Sequence, residues 1–365
     1  MSELRVIISG GGSGGHIFPA VAIANALKKR NPETKILFVG ANGRMEMEKV
    51  PQAGYDIKGL NIAGYQRASI VKNIALPFKL IDSLFSAYKI VKQFRPDVAI
   101  GVGGYASGPL LRAASFAGVS TVIQEQNSFA GITNKLLAKS AKVICTAYEG
   151  MEKVFPKEKI ILTGNPVRAE ILNPNVNRSE AIKYFGLDEN KKTIFITGGS
   201  LGARTLNQSV EAAVERIKNS GAQIIWQTGK IYFEDCKVVA KGVSNLKAIQ
   251  FVDRMDYAYA CADVIISRAG ALSISELQLI GKPVILVPSP NVTENHQMHN
   301  AMALVNQKAA LMIEDSEAKL NLIGAALDLL NNEEIRKQLS TNIKKMGIAD
   351  GAERIVDEIL KVIKR

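Results

Sequence analysis

The chain contains few residues with thiol, imidazole or aromatic side chains. Among its 365 residues there are three cysteines, three histidines and one tryptophan, and aromatic residues make up 6%. No two of Cys145, Cys236 and Cys261 have the spacing of a metal pair or a redox motif. Cys145 and Cys261 lie in or beside apolar runs, which indicates core thiols and a reducing compartment.

Long apolar runs are absent as well. No uninterrupted stretch reaches the roughly 20 apolar residues that a membrane-spanning helix needs. Because the first predicted strand begins close to the N-terminus, we expect no signal peptide. We therefore expect a cytosolic protein, or one that lies on a membrane without crossing it.

Acidic residues are outnumbered, with 34 Asp and Glu against 46 Lys and Arg, which gives a formal charge of +12. This balance favours an anionic partner such as nucleic acid, acidic lipid or a phosphorylated substrate. Basic and aromatic residues are not interleaved in the way that stacks bases, so nucleic acid is the weakest of these candidates. A basic surface that serves only solubility is the alternative.

Two glycine-rich turns, one in each half of the chain, are the most informative feature. Gly10–Gly15 follows the apolar run Leu4–Ile8, and Gly198–Ala203 follows Ile194–Thr197. Glycine lets the backbone approach a ligand closely, and the next helix offers unpaired N–H groups to an anion. The pair predicts an α/β protein with two Rossmann-like parallel-sheet domains that face each other across a cleft.

Predicted strands and helices alternate in both halves of the chain, which supports this architecture. A break at Gly164-Asn165-Pro166 divides a predicted N-terminal domain, 1–165, from a C-terminal domain, 166–345, and leaves a final helical segment, 346–365. The predicted strands are Leu4–Ser9, Lys35–Val39, Val98–Val102, Thr121–Glu125, Lys142–Thr146, Thr193–Thr197, Gln223–Gln227, Leu246–Gln250, Val264–Ser267 and Pro283–Val287. The predicted helices include Pro19–Arg30, Leu206–Asn219, Ser273–Ile280 and Asn295–Gln307, and two or three helices without a strand follow Glu317.

The first turn matches the G-x-G-x-x-G pattern of dinucleotide-binding proteins. That function also needs a carboxylate at the end of the second strand, where this chain has Gly40-Ala41-Asn42. A dinucleotide oxidoreductase is therefore disfavoured, whereas a turn used only for helix packing stays open. His16, which closes the turn, is a candidate general base, with helix capping as the alternative.

Other polar segments also follow predicted strands. Gly101–Pro109 and Glu125-Gln126-Asn127 lie at carboxyl ends of parallel strands, where open α/β sheets bind ligands. Ser267–Glu276 combines a glycine turn with a helix whose first N–H groups suit a diphosphate. Glu276 has the position to accept hydrogen bonds from ribose hydroxyls, although helix-dipole complementarity is an equally simple reason for an acid there.

Metal chemistry has weak support in the sequence. The spacing of His296 and His299 is compatible with a metal, but no third ligand has a convincing position. No Asp-x-Asp pair follows a strand. We expect no metal and no cofactor, and we interpret Gln297 as a sugar contact.

The segment Ile70–Phe85 is apolar on all sides, with Lys72 and Lys79 among its apolar residues. A helix packed on the sheet explains it. The alternative is a membrane patch, formed by Lys72, Ile74, Phe78, Lys79 and Phe85, that docks on anionic lipid.

In this order the motifs resemble the MurG family of UDP-N-acetylglucosamine transferases, which make the lipid-linked disaccharide precursor of the bacterial wall. The resemblance covers nearly the whole chain. It rests on GGSGGHIFPA from Gly11, GVGGYASGP from Gly101, EQN from Glu125, GNPVR from Gly164, GGSLGA from Gly198, FVDRM from Phe251, SRAGALSISE from Ser267 and HQMHNA from His296.

The resemblance implies a GT-B fold, UDP-GlcNAc as donor and a muramyl-pentapeptide pyrophosphoryl-polyprenol as acceptor. It also implies a peripheral protein on the cytoplasmic face of the plasma membrane and inverting, metal-independent transfer. Catalysis is assigned to His16 as base. The implied UDP-GlcNAc contacts are Ser13, Gly14, Gly15, Asn127, Arg168, Ser200, Val252, Ala271, Leu272, Ser273, Glu276 and Gln297. The acceptor pyrophosphate loops contain Gly12, Gly103, Gly104 and Tyr105.

One position departs from the pattern of the family. Gln124 stands where the family often has histidine before Glu-Gln-Asn, which places more weight on His16. Three rival functions remain open on the sequence alone. They are a GT-B transferase with another lipid acceptor such as a diacylglycerol, a UDP-sugar epimerase, and a non-catalytic nucleotide-sugar sensor.

Overall fold

The computed structural model describes residues 3–62, 76–167, 171 and 176–363. The chain divides into two compact units, each with its own parallel sheet. Unit 1 comprises Met1–Val167 and Ala349–Arg365, and unit 2 comprises Arg168–Ile348.

Unit 1 has a seven-stranded sheet in the order β3-β2-β1-β4-β5-β6-β7, and every strand pair is parallel. The strands are β1 (Arg5–Ser9), β2 (Lys35–Ala41), β3 (Asp56–Leu60), β4 (Val98–Gly101), β5 (Ser120–Glu125), β6 (Val143–Thr146) and β7 (Ile160–Leu162). The helices are α1 (Gly14–Arg30), α2 (Glu46–Gln52), α3 (Leu76–Phe94), α4 (Ser107–Phe116) and α5 (Ile132–Leu137). Two 3-10 turns, Met151–Lys153 and Lys157–Lys159, precede β7.

Unit 2 has a six-stranded parallel sheet in the order β10-β9-β8-β11-β12-β13. The strands are β8 (Thr193–Thr197), β9 (Gln223–Gln227), β10 (Leu246–Ile249), β11 (Val264–Ser267), β12 (Val284–Leu286) and β13 (Leu311–Met312). The helices are α6 (Arg178–Phe185), α7 (Arg204–Ala212), α8 (Val214–Lys218), α9 (Phe233–Ala240), α10 (Met255–Cys261), α11 (Ala271–Ile280), α12 (His296–Val305), α13 (Asp315–Asn331) and α14 (Glu333–Lys345). A 3-10 turn, Thr293–Asn295, precedes α12, and α15 (Gly351–Ile363) follows in unit 1.

Central strands such as β1 and β8 are apolar without alternation because both of their faces are covered. Val6 and Ile8 of β1 enter one buried cluster, whereas Ile7, between them, enters the cluster on the opposite face. Ile355 and Ile359 of α15 complete the first of these clusters. The last helix of the chain is thus part of the core of unit 1.

All ten predicted strands are present, with ends that differ by at most two residues. Strands β3, β7 and β13 were not predicted from the sequence. The strand β3 reads Asp-Ile-Lys-Gly-Leu, with polar residues at an edge of the sheet, and β13 has only two residues. Short or polar edge strands carry little of the apolar signal that identifies a buried strand.

Two helix predictions were wrong in detail. Pro19 is inside α1 rather than in its first turn, because the helix begins at Gly14, directly after the glycine turn. The predicted helix Leu206–Asn219 is interrupted at Ala213, which has a non-helical backbone and separates α7 from α8. As the sixth residue of α1, Pro19 lacks the N–H that would donate to the carbonyl oxygen of Gly15 in a regular helix.

Candidate active site

Both glycine-rich turns lie at the topological switch point of their sheets. In unit 1 the order reverses between β1 and β4, and in unit 2 it reverses between β8 and β11. Ligands of open α/β sheets bind at the carboxyl ends of the strands on either side of such a point. The loops in these four places are 10–13, 102–106, 198–203 and 268–270, and all four were singled out in the sequence.

In unit 1 the loops after β1 and β4 are joined directly. The N–H of Gly11 donates to the carbonyl oxygen of Gly103 at 3.3 Å, and the backbone of Gly104 lies against that of Gly11. Gly12 has a left-handed φ of 84°, and its N–H donates to the buried carboxylate of Glu46 at 2.8 Å. The two loops that were predicted to contact the acceptor pyrophosphate therefore touch each other through their backbones.

His16 lies in the first turn of α1, half-buried, beside these loops. Its Nδ1 is 3.0 Å from the carbonyl oxygen of Gly11. Ser13, at the N-cap, has an extended backbone and is exposed, and its side chain does not cap the helix. Gly14 and Gly15 are the first residues of α1, so their N–H groups belong to the helix N-terminus.

Hydrogen bonds from the Ser107 hydroxyl hold the loop after β4 in place. Ser107, buried at the start of α4, donates to the carbonyl oxygens of Ser9 and Gly103 at 3.0 and 2.9 Å. Tyr105 remains exposed, and the Arg44 guanidinium stacks 5.9 Å from the centre of its ring. Tyr105 is thus presented to solvent by a rigid loop.

The Glu125-Gln126-Asn127 motif is a buried hydrogen-bonding centre. The carboxylate of Glu125 accepts from the N–H and Nδ2 of Asn127, from the N–H of Gly131 and from Nδ2 of Asn134, at 2.8 to 3.2 Å. Gln126 donates to the carbonyl oxygen of Val102 at 2.8 Å. Glu125 therefore holds Asn127 in place rather than facing a substrate.

In unit 2, the loop after β8 packs against the start of the loop after β9. A side chain at Gly202 would strike the carbonyl oxygen of Thr228, which explains the third glycine of the motif. The N–H of Lys230 donates to the carbonyl oxygen of Ser200 at 3.2 Å. Ser200 itself is exposed at the carboxyl edge of the sheet.

Val252, just after β10, is buried, and its N–H donates to Oε1 of Gln227 at 3.0 Å. Nε2 of Gln227 donates in turn to Thr197 at the end of β8. The backbone N–H of Val252, the residue predicted to contact the uracil through its backbone, is thus bound by a side chain of the sheet.

The N-terminus of α11 begins at the end of β11. Gly270 is the N-cap, and no side chain caps the helix, so the N–H groups of Ala271, Leu272 and Ser273 form its anion-binding end. Arg268 precedes this turn, but its guanidinium donates to the carbonyl oxygens of Val287 and Pro288 and pairs with Asp315. Arg268 therefore fixes the loop.

Glu276 is buried on α11, and its Oε2 accepts a hydrogen bond from the Tyr259 hydroxyl at 3.0 Å. Tyr259 lies on α10 and packs edge-to-face against Phe195 of β8, with ring centres 5.8 Å apart. Packing thus limits the rotamers of Tyr259, and Tyr259 orients the carboxylate. If Glu276 served only to complement the helix dipole, it would need neither burial nor a hydrogen bond from Tyr259.

Gln297 is in the first turn of α12, where its Oε1 accepts from the N–H of Ser289 at 2.8 Å. Glu294 and Asn295 before it both have left-handed backbones, with φ of 56° and 51°. No group of three or more histidine, cysteine, aspartate or glutamate side chains with metal-binding placement occurs in the described part of the chain.

Several predicted residues lie outside the described residues. They are Arg168 and, in the membrane patch, Lys72 and Ile74. Of the rest of that patch, Phe78 and Phe85 on α3 are 75% and 73% exposed, and Lys79 is half-buried. Across the described residues, no helix is both long and apolar enough to span a bilayer.

Sequence reasoning missed the residues that hold the predicted ones in place: Glu46, Ser107, Asn134, Gln227, Tyr259 and Asp315. Except for Ser107, which is in the segment Gly101–Pro109, none of them belongs to a glycine turn. A polar residue in a strongly apolar element, such as Gln227 at the end of β9, was the one signal available.

Family models match both units. Residues 6–146 match the N-terminal domain of glycosyltransferase family 28, and residues 193–355 match the C-terminal domain of the same family. The structure also resembles the crystal structure of MurG from Acinetobacter baumannii, with a TM-score of 0.79 and 26% identity over 98% of this chain and 99% of that chain.

Curated relatives are closer in sequence. A protein of Phocaeicola vulgatus named UDP-N-acetylglucosamine--N-acetylmuramyl-(pentapeptide) pyrophosphoryl-undecaprenol N-acetylglucosamine transferase is 57% identical over 99% of this chain and 96% of its own length. A protein of the same name from Flavobacterium psychrophilum is 54% identical over 100% and 99%. The chain therefore has the GT-B fold and belongs to glycosyltransferase family 28 and, within it, to the MurG family.

Proposed function

We propose that this protein transfers N-acetylglucosamine from UDP-GlcNAc to the 4-hydroxyl of MurNAc-pentapeptide pyrophosphoryl-undecaprenol, which converts lipid I to lipid II in peptidoglycan synthesis. The 57% identity over 99% of the chain to a relative named as this transferase carries the proposal. Glycine loops at the switch points of two Rossmann-like sheets support a nucleotide-sugar substrate.

Unit 2 holds the donor. The N–H groups of Ala271, Leu272 and Ser273 bind the diphosphate, and Glu276 accepts hydrogen bonds from the ribose hydroxyls. The carbonyl oxygen of Val252 contacts the uracil. Ser200 and Arg168 contribute phosphate contacts, and Gln297 contributes a sugar contact. Asn127, which belongs to unit 1, is a further proposed sugar contact.

Unit 1 acts on the acceptor. Ser13, Gly14 and Gly15 face the reacting centre, whereas Gly12, Gly103, Gly104 and Tyr105 belong to the loops that receive the acceptor pyrophosphate. His16 takes the proton of the attacking hydroxyl. This role needs an unprotonated ring nitrogen, and the contact of Nδ1 with a carbonyl oxygen leaves Nε2 as that atom.

The reaction is a single displacement with inversion. The acceptor 4-oxygen forms a bond to C1 of GlcNAc from the face opposite UDP, the hydroxyl proton passes to His16, and the C1–oxygen bond to UDP breaks with its electron pair on the diphosphate. The sugar passes through an oxocarbenium-like state. The amide N–H groups at the start of α11 stabilise the charge that builds on the leaving diphosphate.

The exposed face of α3 suits a peripheral position on the cytoplasmic face of the plasma membrane. Ser83, Ala87 and Val91 form the buried side of this helix, whereas Phe78 and Phe85 project from the other side. Exposed phenylalanines on a basic protein favour an anionic lipid surface. The helix is therefore packed on one face, and the opposite face is the one that we propose for contact with lipid.

A panel of acceptors tests the proposal. The protein is incubated with labelled UDP-GlcNAc, EDTA and one of three additions: a short-chain muramyl-pentapeptide pyrophosphate lipid, diacylglycerol, or none. We expect disaccharide only with the first. Transfer to diacylglycerol would support another lipid glycosyltransferase, and epimerised UDP-sugar without an acceptor would support an epimerase. Binding of UDP-GlcNAc without any reaction would support a sensor.

A further inference from the structure

One peptide group connects Glu46 and His16. The N–H of Gly12 donates to Oε2 of Glu46 at 2.8 Å, and the carbonyl oxygen of Gly11 is 3.0 Å from Nδ1 of His16. This N–H and this carbonyl belong to the same peptide bond. The carboxylate, the planar peptide group and the imidazole thus form a continuous chain of hydrogen bonds.

The position of Glu46 is strongly determined. It begins α2, is 1% exposed, and its Oε1 accepts from the N–H of Ala41 at the end of β2, at 3.0 Å. A side chain at Gly11 or at Gly40 would strike the Glu46 side chain. Both carboxylate oxygens therefore accept a backbone N–H, and two glycines make room for them.

The contact with Gly11 also assigns the proton on His16. A carbonyl oxygen only accepts hydrogen bonds, so Nδ1 must carry the proton, and in the neutral ring Nε2 is then the basic nitrogen. A side chain at Gly103 would stand 2.8 Å from Nε2 and 2.6 Å from Cδ2, so only glycine there admits this ring orientation. The imidazole is held both by its hydrogen bond and by its packing.

We propose that Glu46 is a positioning residue, which acts on His16 through the Gly11–Gly12 peptide group in the way that a carboxylate acts directly on histidine in hydrolytic triads. The carboxylate polarises the peptide group, which makes the Gly11 carbonyl a stronger acceptor. The stronger acceptor fixes the Nδ1–H tautomer and stabilises the imidazolium that forms when Nε2 takes the acceptor proton. This inference rests on the proposed role of His16 as base.

In the described part of the chain, other charged side chains on or beside α2 and at the end of β5 are exposed or hydrogen-bonded elsewhere. Next to Glu46 in the chain, Arg44 is exposed, and Glu48 and Lys49 pair with each other on the outer side of α2. Glu125 is buried, but its carboxylate is occupied by Asn127, Gly131 and Asn134. The loop after β4 carries the titratable Tyr105 and no charge before Arg112, and α1 carries none before Lys28.

The test is direct because the chain contains only three histidines. Full-length protein with isotope-labelled histidine gives three imidazole patterns in a long-range nitrogen–proton spectrum, and the pattern lost in His16→Gln identifies His16. In the wild type we expect His16 as the Nδ1–H tautomer at neutral pH. Glu46→Gln should introduce the Nε2–H tautomer, whereas the matched variant Glu48→Gln, which changes an exposed carboxylate on the same helix, should not.

Kinetics give a second readout. Through the peptide group the carboxylate and the imidazole are about 8 Å apart, so loss of the charge should move the acidic limb of kcat/KM down by about half to one and a half pH units. We expect kcat to fall about 10- to 100-fold in Glu46→Gln, with the KM for UDP-GlcNAc unchanged and part of kcat restored in Glu46→Asp.

Two results would overturn the inference: an Nε2–H tautomer in the wild type, or a Glu46→Gln protein whose tautomer and pH profile match those of Glu48→Gln. The wild-type spectrum can overturn the inference even if Glu46→Gln does not fold, because it shows the tautomer of His16 directly. Failure of the proposed function looks different, because the wild type would then transfer no sugar, or His16→Ala would retain the wild-type rate.

Discussion

Replacement of Glu276 by alanine should separate its hydrogen bond with Tyr259, which the structure shows, from its proposed contact with the ribose. Glu276 is 6% exposed and accepts from the Tyr259 hydroxyl at 3.0 Å. If it also accepts from the ribose, loss of one such charge-assisted hydrogen bond costs about 1.5–3 kcal/mol. The Kd for UDP should then rise about 10- to 150-fold.

The same substitution removes an acceptor from a tyrosine that is 2% exposed. Loss of this hydrogen bond inside the protein costs about 1–3 kcal/mol, which lowers the Tm of a domain of this size by about 2–10 °C. The double variant Glu276→Ala/Tyr259→Phe also removes the hydroxyl that donates to Glu276. We therefore expect the double variant to recover part of the Tm and none of the affinity for UDP.

Isothermal titration with UDP and with 2′-deoxy-UDP, together with thermal unfolding, measures both quantities. The wild type should prefer UDP, and Glu276→Ala should lose most of that preference. Recovery of UDP affinity in the double variant would refute the reasoning, because it would show that Glu276 supports the fold and does not contact the ribose. An unchanged preference for UDP in Glu276→Ala would refute it too.

Three further predictions concern other parts of the chain. His16→Ala should lower kcat by about 10²–10⁴ with UDP affinity retained, and a wild-type rate would contradict the assignment. Phe78→Asp and Phe85→Asp should weaken binding to phosphatidylglycerol vesicles, as should added salt, whereas Leu320→Asp, at an exposed leucine of unit 2, should have no effect; equal effects of all three would contradict a patch on α3. Burial raises the pKa of Cys145 to about 12, so the folded state keeps the thiol proton and the free energy of unfolding should fall as pH rises above about 8.5. Denaturant titrations across that range should show a shallower fall in Cys145→Ala, and equal slopes would contradict this.

The fold was predictable because its signals are local. Val6-Ile7-Ile8 and Ile194-Phe195-Ile196 are continuous apolar runs, as expected for strands covered on both faces, and a glycine turn marks the end of each. Edge strands lack this signal, and β3, with Asp56 and Lys58, was missed for that reason. The start of α1 was misplaced because Pro19 was interpreted as a first-turn residue.

The residues proposed to contact the ligand and the residues that hold them in place also differ in how far they could be predicted from the sequence. The loops that contain His16 and Ser273 were visible as motifs, since glycine and small residues mark close backbone approach. Glu46 and Tyr259 act across 34 and 17 residues of sequence, on Gly12 and on Glu276. Their role depends on the tertiary placement of α2 and α10, which no local pattern encodes.

The most direct test of the account is the structure of the disaccharide that the protein makes. Wild-type protein is incubated with UDP-GlcNAc, the short-chain muramyl-pentapeptide pyrophosphate lipid and EDTA, and the product is analysed by proton NMR. The account predicts a new β linkage from C1 of GlcNAc to the 4-oxygen of MurNAc. An α linkage, attachment at another hydroxyl, or a requirement for added metal ion would contradict it.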